Sequence, residues 1–241
     1  MQKRLESIEG LDVTRAVYER LKEGIVSQNF KPGEQLNVKR LAEDLNTSTT
    51  PVAQAIAKLY GERLVMVLPR RGTFVSNPSV DDIRQLSEAR EAIEVYSARL
   101  AARKIRKADL DGLQQILDEW KHILQSLTAN ETKHNAVTLD VRDSQFHCRI
   151  VEVAGNVCLL LAYHTIDSQV RAFVGVRFGL YYREIERVSG EGHDRIMQAL
   201  CEKSEEAAAE AVKAHIWQVY ALYAEMFGGD QRGDSPYANS E

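Results

Sequence analysis

Proline is nearly missing from the body of this 241-residue chain: after Pro32, Pro51, Pro69 and Pro78 the next is Pro236. With no proline to interrupt it and no alternation of apolar and polar residues, the long interval between reads as helix. That excludes a sheet-based fold for the larger part of the chain. Cysteine is scarce too. Cys148, Cys158 and Cys201 are odd in number, lack CxxC spacing and sit inside helical patterns, so a disulfide framework is excluded and they read as reduced packing residues. No apolar run approaches the ~20 residues of a membrane span. The N-terminal residues Met1 to Ser7 lack the apolar core of a secretion signal. The expectation is a cytoplasmic protein with no membrane segment. There is no internal repeat, and no heptad series long enough for a coiled coil.

What remains is globular in composition, 44% hydrophobic and 27% charged, and long enough for two modest domains. The net charge of −4 is unevenly spread: residues 1–77 carry 12 Lys and Arg against 9 Asp and Glu, the rest 19 against 26. Phosphate affinity is therefore expected of the first segment. The polar joint Ser76-Asn77-Pro78-Ser79 marks the boundary, and Ser79 is placed to cap a helix with Asp82 three residues on. The predicted fold is mainly α: a winged helix-turn-helix over 1–77 and an all-α helical bundle over 78–228. A polar tail, 229–241, follows Gly228 and Gly229 and is expected to be disordered.

Within the first segment, Val13 to Val26 places Val17, Leu21 and Ile25 on one helical face. Val38 to Leu45 predicts a short helix with Lys39 and Arg40 on its outer side. Asn46-Thr47-Ser48-Thr49 is the turn. Thr50 is the expected N-cap of a second helix with Pro51 at its first position. That helix would bury Val52, Ile56 and Leu59 and turn Gln54, Ala57 and Lys58 toward a major groove. Leu64–Leu68 and Thr73–Val75 read as two strands around Pro69-Arg70-Arg71-Gly72, where glycine permits the turn and two guanidinium groups occupy its tip.

This run, from Leu41-Ala42-Glu43-Asp44-Leu45 through Thr50-Pro51-Val52 to Pro69-Arg70-Arg71-Gly72-Thr73-Phe74-Val75, resembles the winged helix-turn-helix of GntR-family transcriptional regulators. The resemblance implies DNA contact from Ser48, Thr49, Thr50, Gln54, Lys58, Arg70, Arg71 and Gly72, besides Lys39 and Arg40. It differs at two positions: Thr49 and Ala53 stand where the family usually carries operator-reading arginines. An altered base preference or weakened binding is expected, since the absence of an arginine-to-guanine pairing costs ~1–3 kcal/mol of discrimination.

Beyond Ser79 the predicted helices are Val80–Lys104, Ala108–Ala129, Thr138–Val153, Val157–Val174, Phe178–Val188, Gly192–Cys201 and Ser204–Phe227, with breaks at Gly155-Asn156 and Ser189–Gly192. Their stripes carry polar residues where apolar ones belong. Asp143 and His147 are four apart and share a face with Phe146 and Ile150. His193 opens the stripe Ile196, Met197, Leu200, and His215 lies in the series Ala208, Val212, Val219, Leu222. One histidine on such a stripe is most often a satisfied core residue. Three with a carboxylate would cost several kcal/mol if buried unpaired, and a divalent cation satisfies all four. One oxygen and three imidazole nitrogens suit Zn²⁺, Ni²⁺ or Mn²⁺. His122 and His134 are assigned to an outward face and a loop; His164 is a candidate for lining the same cavity.

Asp143-Ser144-Gln145-Phe146-His147, Ala154-Gly155-Asn156, Gly192-His193-Asp194-Arg195-Ile196 and Ala211-Val212-Lys213-Ala214-His215 resemble the ligand-binding FCD domain of the FadR subgroup. The resemblance implies metal ligation by Asp143, His147, His193 and His215. It also implies an effector carboxylate near Arg90, whose alternative is an ordinary i,i+4 partner of Glu94. The glutamate often found before the third ligand is Gly192 here. A homodimeric repressor responding to a small carboxylate such as a hydroxy acid, sugar acid or amino-acid derivative is expected. The rivals are a regulator whose metal is purely structural and whose DNA specificity is weak or altered, and a metal-dependent hydrolase, for which no glutamate stands beside the histidines in sequence to act as base.

Overall fold

The structure is a computed structural model and describes residues 13–126, 132–175 and 186–227. They form two compact units, one built from residues up to Ser76, with the segment Val26–Gln28 excepted, and one from Asn77 onward. The tail expected to be disordered lies outside the described residues, as does most of the predicted helix Phe178–Val188.

In the first unit, α1 (Val13–Val26) buries Val17, Tyr18, Leu21 and Ile25. Asn37 caps α2 (Val38–Asp44), its Oδ1 accepting from the N–H groups of Lys39 and Arg40 at 3.0 and 3.1 Å. The helix ends because Asn46 takes a left-handed conformation, φ 48°. The N–H groups of Asn46 and Thr47 then close onto the carbonyls of Glu43 and Ala42, satisfying two otherwise unpaired acceptors. The cap of α3 (Thr49–Gly61) corrects the sequence reading: it is Ser48, in extended conformation with no side-chain bond to the helix, and not Thr50. Pro51 consequently sits at the third helical position, where its N–H would also have had no intrahelical partner.

A three-stranded antiparallel sheet follows, in the order β1 (Gln35–Leu36), β3 (Gly72–Val75), β2 (Val65–Leu68). Leu68 faces Gly72 and Val65 faces Val75. β1, two residues long, has too little periodicity to be legible in sequence; it pairs Gln35 with Phe74 and Leu36 with Thr73. Arg70 at φ 63° and Gly72 at φ 107° turn the hairpin. A Cβ on Gly72 would lie 2.9 Å from Nε2 of Gln35, the movable end of a side chain, so it is the backbone conformation that favours glycine there.

The second unit is helical throughout its described residues. Its elements are α4 (Val80–Arg90), a π-helical segment Glu91–Val95, α5 (Tyr96–Lys104), α6 (Lys107–Ser126), α7 (Thr132–Ala154) and α8 (Val157–Val170). π-helical segments Arg171–Gly175 and Glu186–Gly190 follow, then α9 (Glu191–Cys201) and α10 (Glu205–Phe227). Ser79 and Asp82 form a reciprocal capping box at the start of α4. Gly155 at φ 67° ends α7, and the Asn156 side chain caps α8. The expected break at Ser189–Gly192 does not exist: the π segment runs straight into α9, and Gly190 is itself in helical conformation. His134 lies inside α7, and not in a loop as expected.

Small residues on α5 explain the packing. Ser97, Ala98, Ala101 and Ala102 are fully buried, which lets α7 and α10 approach the α5 backbone closely. Around them Ile105, Leu113, Leu117, Phe146, Ile150, Ile196, Leu200, Ala208, Val212 and Ile216 close one apolar cluster. The polar stripe residues of α7, α9 and α10 border that cluster.

Candidate metal centre and nucleic-acid face

Three helices deliver four donors to one point. Asp143 and His147 lie one turn apart on α7, His193 comes from the first turn of α9, and His215 from the middle of α10. One ligand atom from each lies within 4.8 Å of all the others. The three imidazoles are buried, and the Asp143 side chain is about a third exposed, at 32%. Nε2 of His147 and Nε2 of His215 are 3.2 Å apart, and Nε2 of His193 is 3.2 Å from Oδ1 of Asp143. The aromatic wall is Trp120, edge-on to His193 at 5.2 Å between ring centres, and Phe146, tilted against the same ring at 4.8 Å.

Burial at this point is costly unless the donors are used. Nδ1 of His193 and Nδ1 of His215 are inaccessible and have no hydrogen-bond partner, and Nε2 of His193 faces only the Asp143 carboxylate. A buried polar atom left unsatisfied costs about 1–3 kcal/mol. Burial pushes the His193 imidazole below its ordinary pKa although Asp143 opposes this, and burial with the neighbouring His193 and His147 pushes His215 lower still. Both rings are thus neutral, with lone pairs to offer. Burial would raise the Asp143 carboxyl, but its hydrogen bond with His193, with the neighbouring His147 and His215, outweighs this and holds it well below the usual carboxylate range. Three imidazoles and one carboxylate form a donor set that fits a divalent cation of intermediate softness.

Sequence reading missed the groups behind these donors. Glu94, in the π segment after α4, is buried, and its Oε2 lies 2.9 Å from Nδ1 of His147. Arg90 donates to it through Nε at 2.6 Å and Nη2 at 3.2 Å. Burial alone would raise the Glu94 carboxyl; Arg90 and then His147 bring it down to about 2. The residue implied as the effector contact is therefore committed to Glu94, its i,i+4 neighbour. His164 is exposed on α8 and joins none of this; α8 buries Tyr163 instead. Between α7 and α8 lies a second set of polar groups: Asp140 paired with Arg171 at 2.9 Å, and Asp167 accepting from Ser144 at 2.7 Å. Burial raises the Asp140 carboxyl to about 7, with Arg171 opposing and Asp143 and Asp167 adding to the rise. The detectable signal was the spacing Asp140, Asp143, Ser144, His147, four polar residues on one face of a helix.

Gly192 stands where the resemblance leads one to expect glutamate. A Cβ there would collide with Nδ1 of His215 and lie 3.1 Å from its Cγ. The missing side chain is what lets α9 and the His215 ring meet.

In the winged unit Lys39, Arg40, Ser48, Thr49, Thr50, Gln54, Lys58, Arg70, Arg71 and Gly72 are all exposed. Two of them are engaged with α1. Oε1 of Gln54 accepts from the Thr14 hydroxyl at 2.9 Å, and Nζ of Lys58 lies 3.5 Å from the ring centre of Tyr18. Tyr18 in turn donates to Glu62 at 2.6 Å, and Lys22 bonds both at 3.0 Å. The other exposed edge of α3 carries the short side chains of Thr49, Thr50, Ala53 and Ala57, with Tyr60 at its far end.

Known proteins share both halves. Residues 13–75 match the family of bacterial regulatory proteins, gntR family, and residues 85–218 match the FCD domain. The chain is similar to the Nta operon transcriptional regulator of Aminobacter aminovorans, 26% identical over 204 residues, 85% of this chain and 91% of that one. It is also similar to the HTH-type transcriptional repressor RspR of Escherichia coli (strain K12), 28% identical over 212 residues, 86% and 87% of the two chains. Its fold is that of E. coli McbR/YncC, with a TM-score of 0.71 at 20% identity, covering 90% of this chain and all of that one.

Proposed function

Because the chain belongs to the GntR family of transcriptional regulators, with an FCD domain as its second unit, we propose that it is a metal-containing, effector-responsive repressor. The proteins it resembles are transcriptional regulators, and the carboxylate nearest the imidazoles does not favour hydrolysis. Glu94 lies behind His147, on its Nδ1 side, and is already paired with Arg90.

The observation that carries the reading is the convergence of Asp143, His147, His193 and His215 within 4.8 Å, with Nδ1 of His193 and of His215 otherwise unpartnered. Zn²⁺, Ni²⁺ or Mn²⁺ suits this donor set. A bound ion would supply positive charge and open positions for the carboxylate of a small hydroxy acid, sugar acid or amino-acid derivative. Binding then shifts the protein between forms that fit and do not fit the operator, by the difference in effector affinity between them. A homodimer on a two-fold symmetric operator in the cytoplasm is the working assembly. The name of RspR supports repression.

DNA contact is assigned to the wing arginines, to Lys39 and Arg40, and to the start of α3 at Ser48, Thr49 and Thr50. A second reading, in which sequence discrimination is weak, is favoured by the bond from Thr14 to Gln54, which takes one lone pair of the amide oxygen needed to accept from adenine and ties the side chain to α1. Selection of sites from a random DNA pool, with metal-loaded protein, separates the two. A two-fold symmetric site that lacks the family's guanine contacts and is released by a small carboxylate supports the proposal. Salt-sensitive binding to all sequences alike sinks it in favour of the second reading.

A further inference from the structure

We infer that Glu94 is the positioning residue for His147 at the metal centre, and that Arg90 serves Glu94 and not an effector. The inference rests on the metal reading above and deepens it.

A carboxylate can only accept, so its 2.9 Å contact with Nδ1 of His147 fixes the proton on that nitrogen. In the neutral ring Nε2 is then the nitrogen with the lone pair, and it lies 3.2 Å from Nε2 of His215, in the cluster of donors. The other two imidazoles have no such partner: Nδ1 of His193 and Nδ1 of His215 are both unsatisfied. Of the three imidazoles, His147 alone has its tautomer and ring orientation dictated from behind. This arrangement raises the basicity of a ligating imidazole and holds it in place before the ion arrives.

Arg90 gives the carboxylate its own fixed geometry. Its Nε and Nη2 reach the two oxygens of Glu94, a fork pairing that removes the rotation a lone glutamate would have. Arg90 and Glu94 are 7% and 2% exposed, so neither competes with bulk water. The same π segment is fastened on its other side. Glu91 accepts from Nε1 of Trp217 at 2.6 Å and from Nζ of Lys213 at 3.1 Å, and these residues flank His215 on α10. Two glutamates three residues apart thus anchor two of the three ligand-bearing helices, α7 directly at its ligand and α10 on either side of one. A regular α-helical turn would rotate Glu94 away from this position, which gives the π geometry a role.

The test uses the full chain stripped of metal and titrated with Co²⁺, read by its visible absorption, and with Zn²⁺ in competition with a chromophoric chelator. Glu94→Gln should weaken both ions about 10–100-fold and shift the Co²⁺ bands, and Glu94→Leu should weaken them further. A purely packing role would lower the apo melting temperature and leave affinity and spectrum alone, and that outcome overturns the inference while the metal reading stands. Wild-type protein that binds neither ion overturns both. If the Glu94 variants do not fold, Arg90→Lys, which keeps the charge but not the fork, decides: a several-fold loss supports the inference and unchanged affinity overturns it.

Discussion

His147 and His215 meet head to head, Nε2 to Nε2 at 3.2 Å, with their rings inclined by only 23°. Two imidazoles hold this attitude comfortably when a cation lies between their lone pairs. The double variant His147→Ala/His215→Ala should therefore lose metal, where wild type carries about one ion per chain. Metal at a hundredfold excess over Kd stabilises the fold by about 2.7 kcal/mol, so the variant should lose the metal-dependent part of the melting temperature. Metal content by emission spectroscopy, with melting curves in chelator and in Zn²⁺, checks both. Full occupancy in the variant would remove the site.

Gly192→Ala should disturb the same centre without touching a ligand residue, because the new methyl collides with the His215 ring. Overpacking of this kind costs about 1–3 kcal/mol, and here the ring that must move is a donor. Weaker Zn²⁺ binding together with a lower apo melting temperature is expected. Gly112→Ala, with open space around the new carbon, is the control. Equal behaviour of the two variants would show that the close approach is unimportant.

Acid should destabilise the metal-free protein from about pH 6.5 downward. His193 and His215 are held below their ordinary range by burial, so the unfolded chain takes up protons there that the folded chain refuses, and stability falls with pH. Asp140 acts oppositely. Raised to about 7, it keeps a proton in the folded state that the unfolded chain loses above about pH 4, so its contribution is present in acid and lost as pH rises to neutrality. His215→Leu should make the loss below pH 6.5 shallower, whereas Asp140→Asn should gain stability relative to wild type between pH 5 and 7.5. Melting curves across that range that run parallel to wild type for both variants would refute the assignment.

Arg70 and Arg71 stand exposed at the tip of the hairpin, which Gly72 turns with its positive φ. Arg70→Ala/Arg71→Ala should weaken binding to the selected operator and flatten the slope of log affinity against log salt by about 0.9 for each phosphate no longer neutralised. An unchanged slope in fluorescence anisotropy would mean that the hairpin does not touch DNA.

The helical stripes were legible because each ligand sits on a face whose apolar neighbours repeat at 3.6, so Asp143, His147, His193 and His215 stood out as polar intruders. Glu94 did not. Between Arg90 and Glu94 the repeat passes through a π segment, which shifts the face that a regular helix would present, and in sequence the pair looks like any solvent-exposed i,i+4 bridge. Gly190 and Gly192 misled in the opposite way: glycine signals a helix end when its conformation is left-handed, but these two are helical, and Gly192 serves close packing. In the winged unit the turn at Asn46 followed from local chemistry. The engagement of Gln54 by Thr14 joins residues forty positions apart, and no window of periodicity reaches that far.

The bare Cα of Gly192 also bears on how this centre can change over generations. A glutamate introduced at 192 by itself would drive into the His215 ring, so the single substitution is barred even though the carboxylate would be a chemically suitable companion for the unpartnered Nδ1. The ring would have to shift first, through changes in α10 near Lys213 and Trp217, where Glu91 now holds the helix. Residue 192 and the placement of the His215 ring are thus coupled by sterics. A glutamate that is harmless in a relative would be deleterious here, and its effect would reverse in sign once that background had moved.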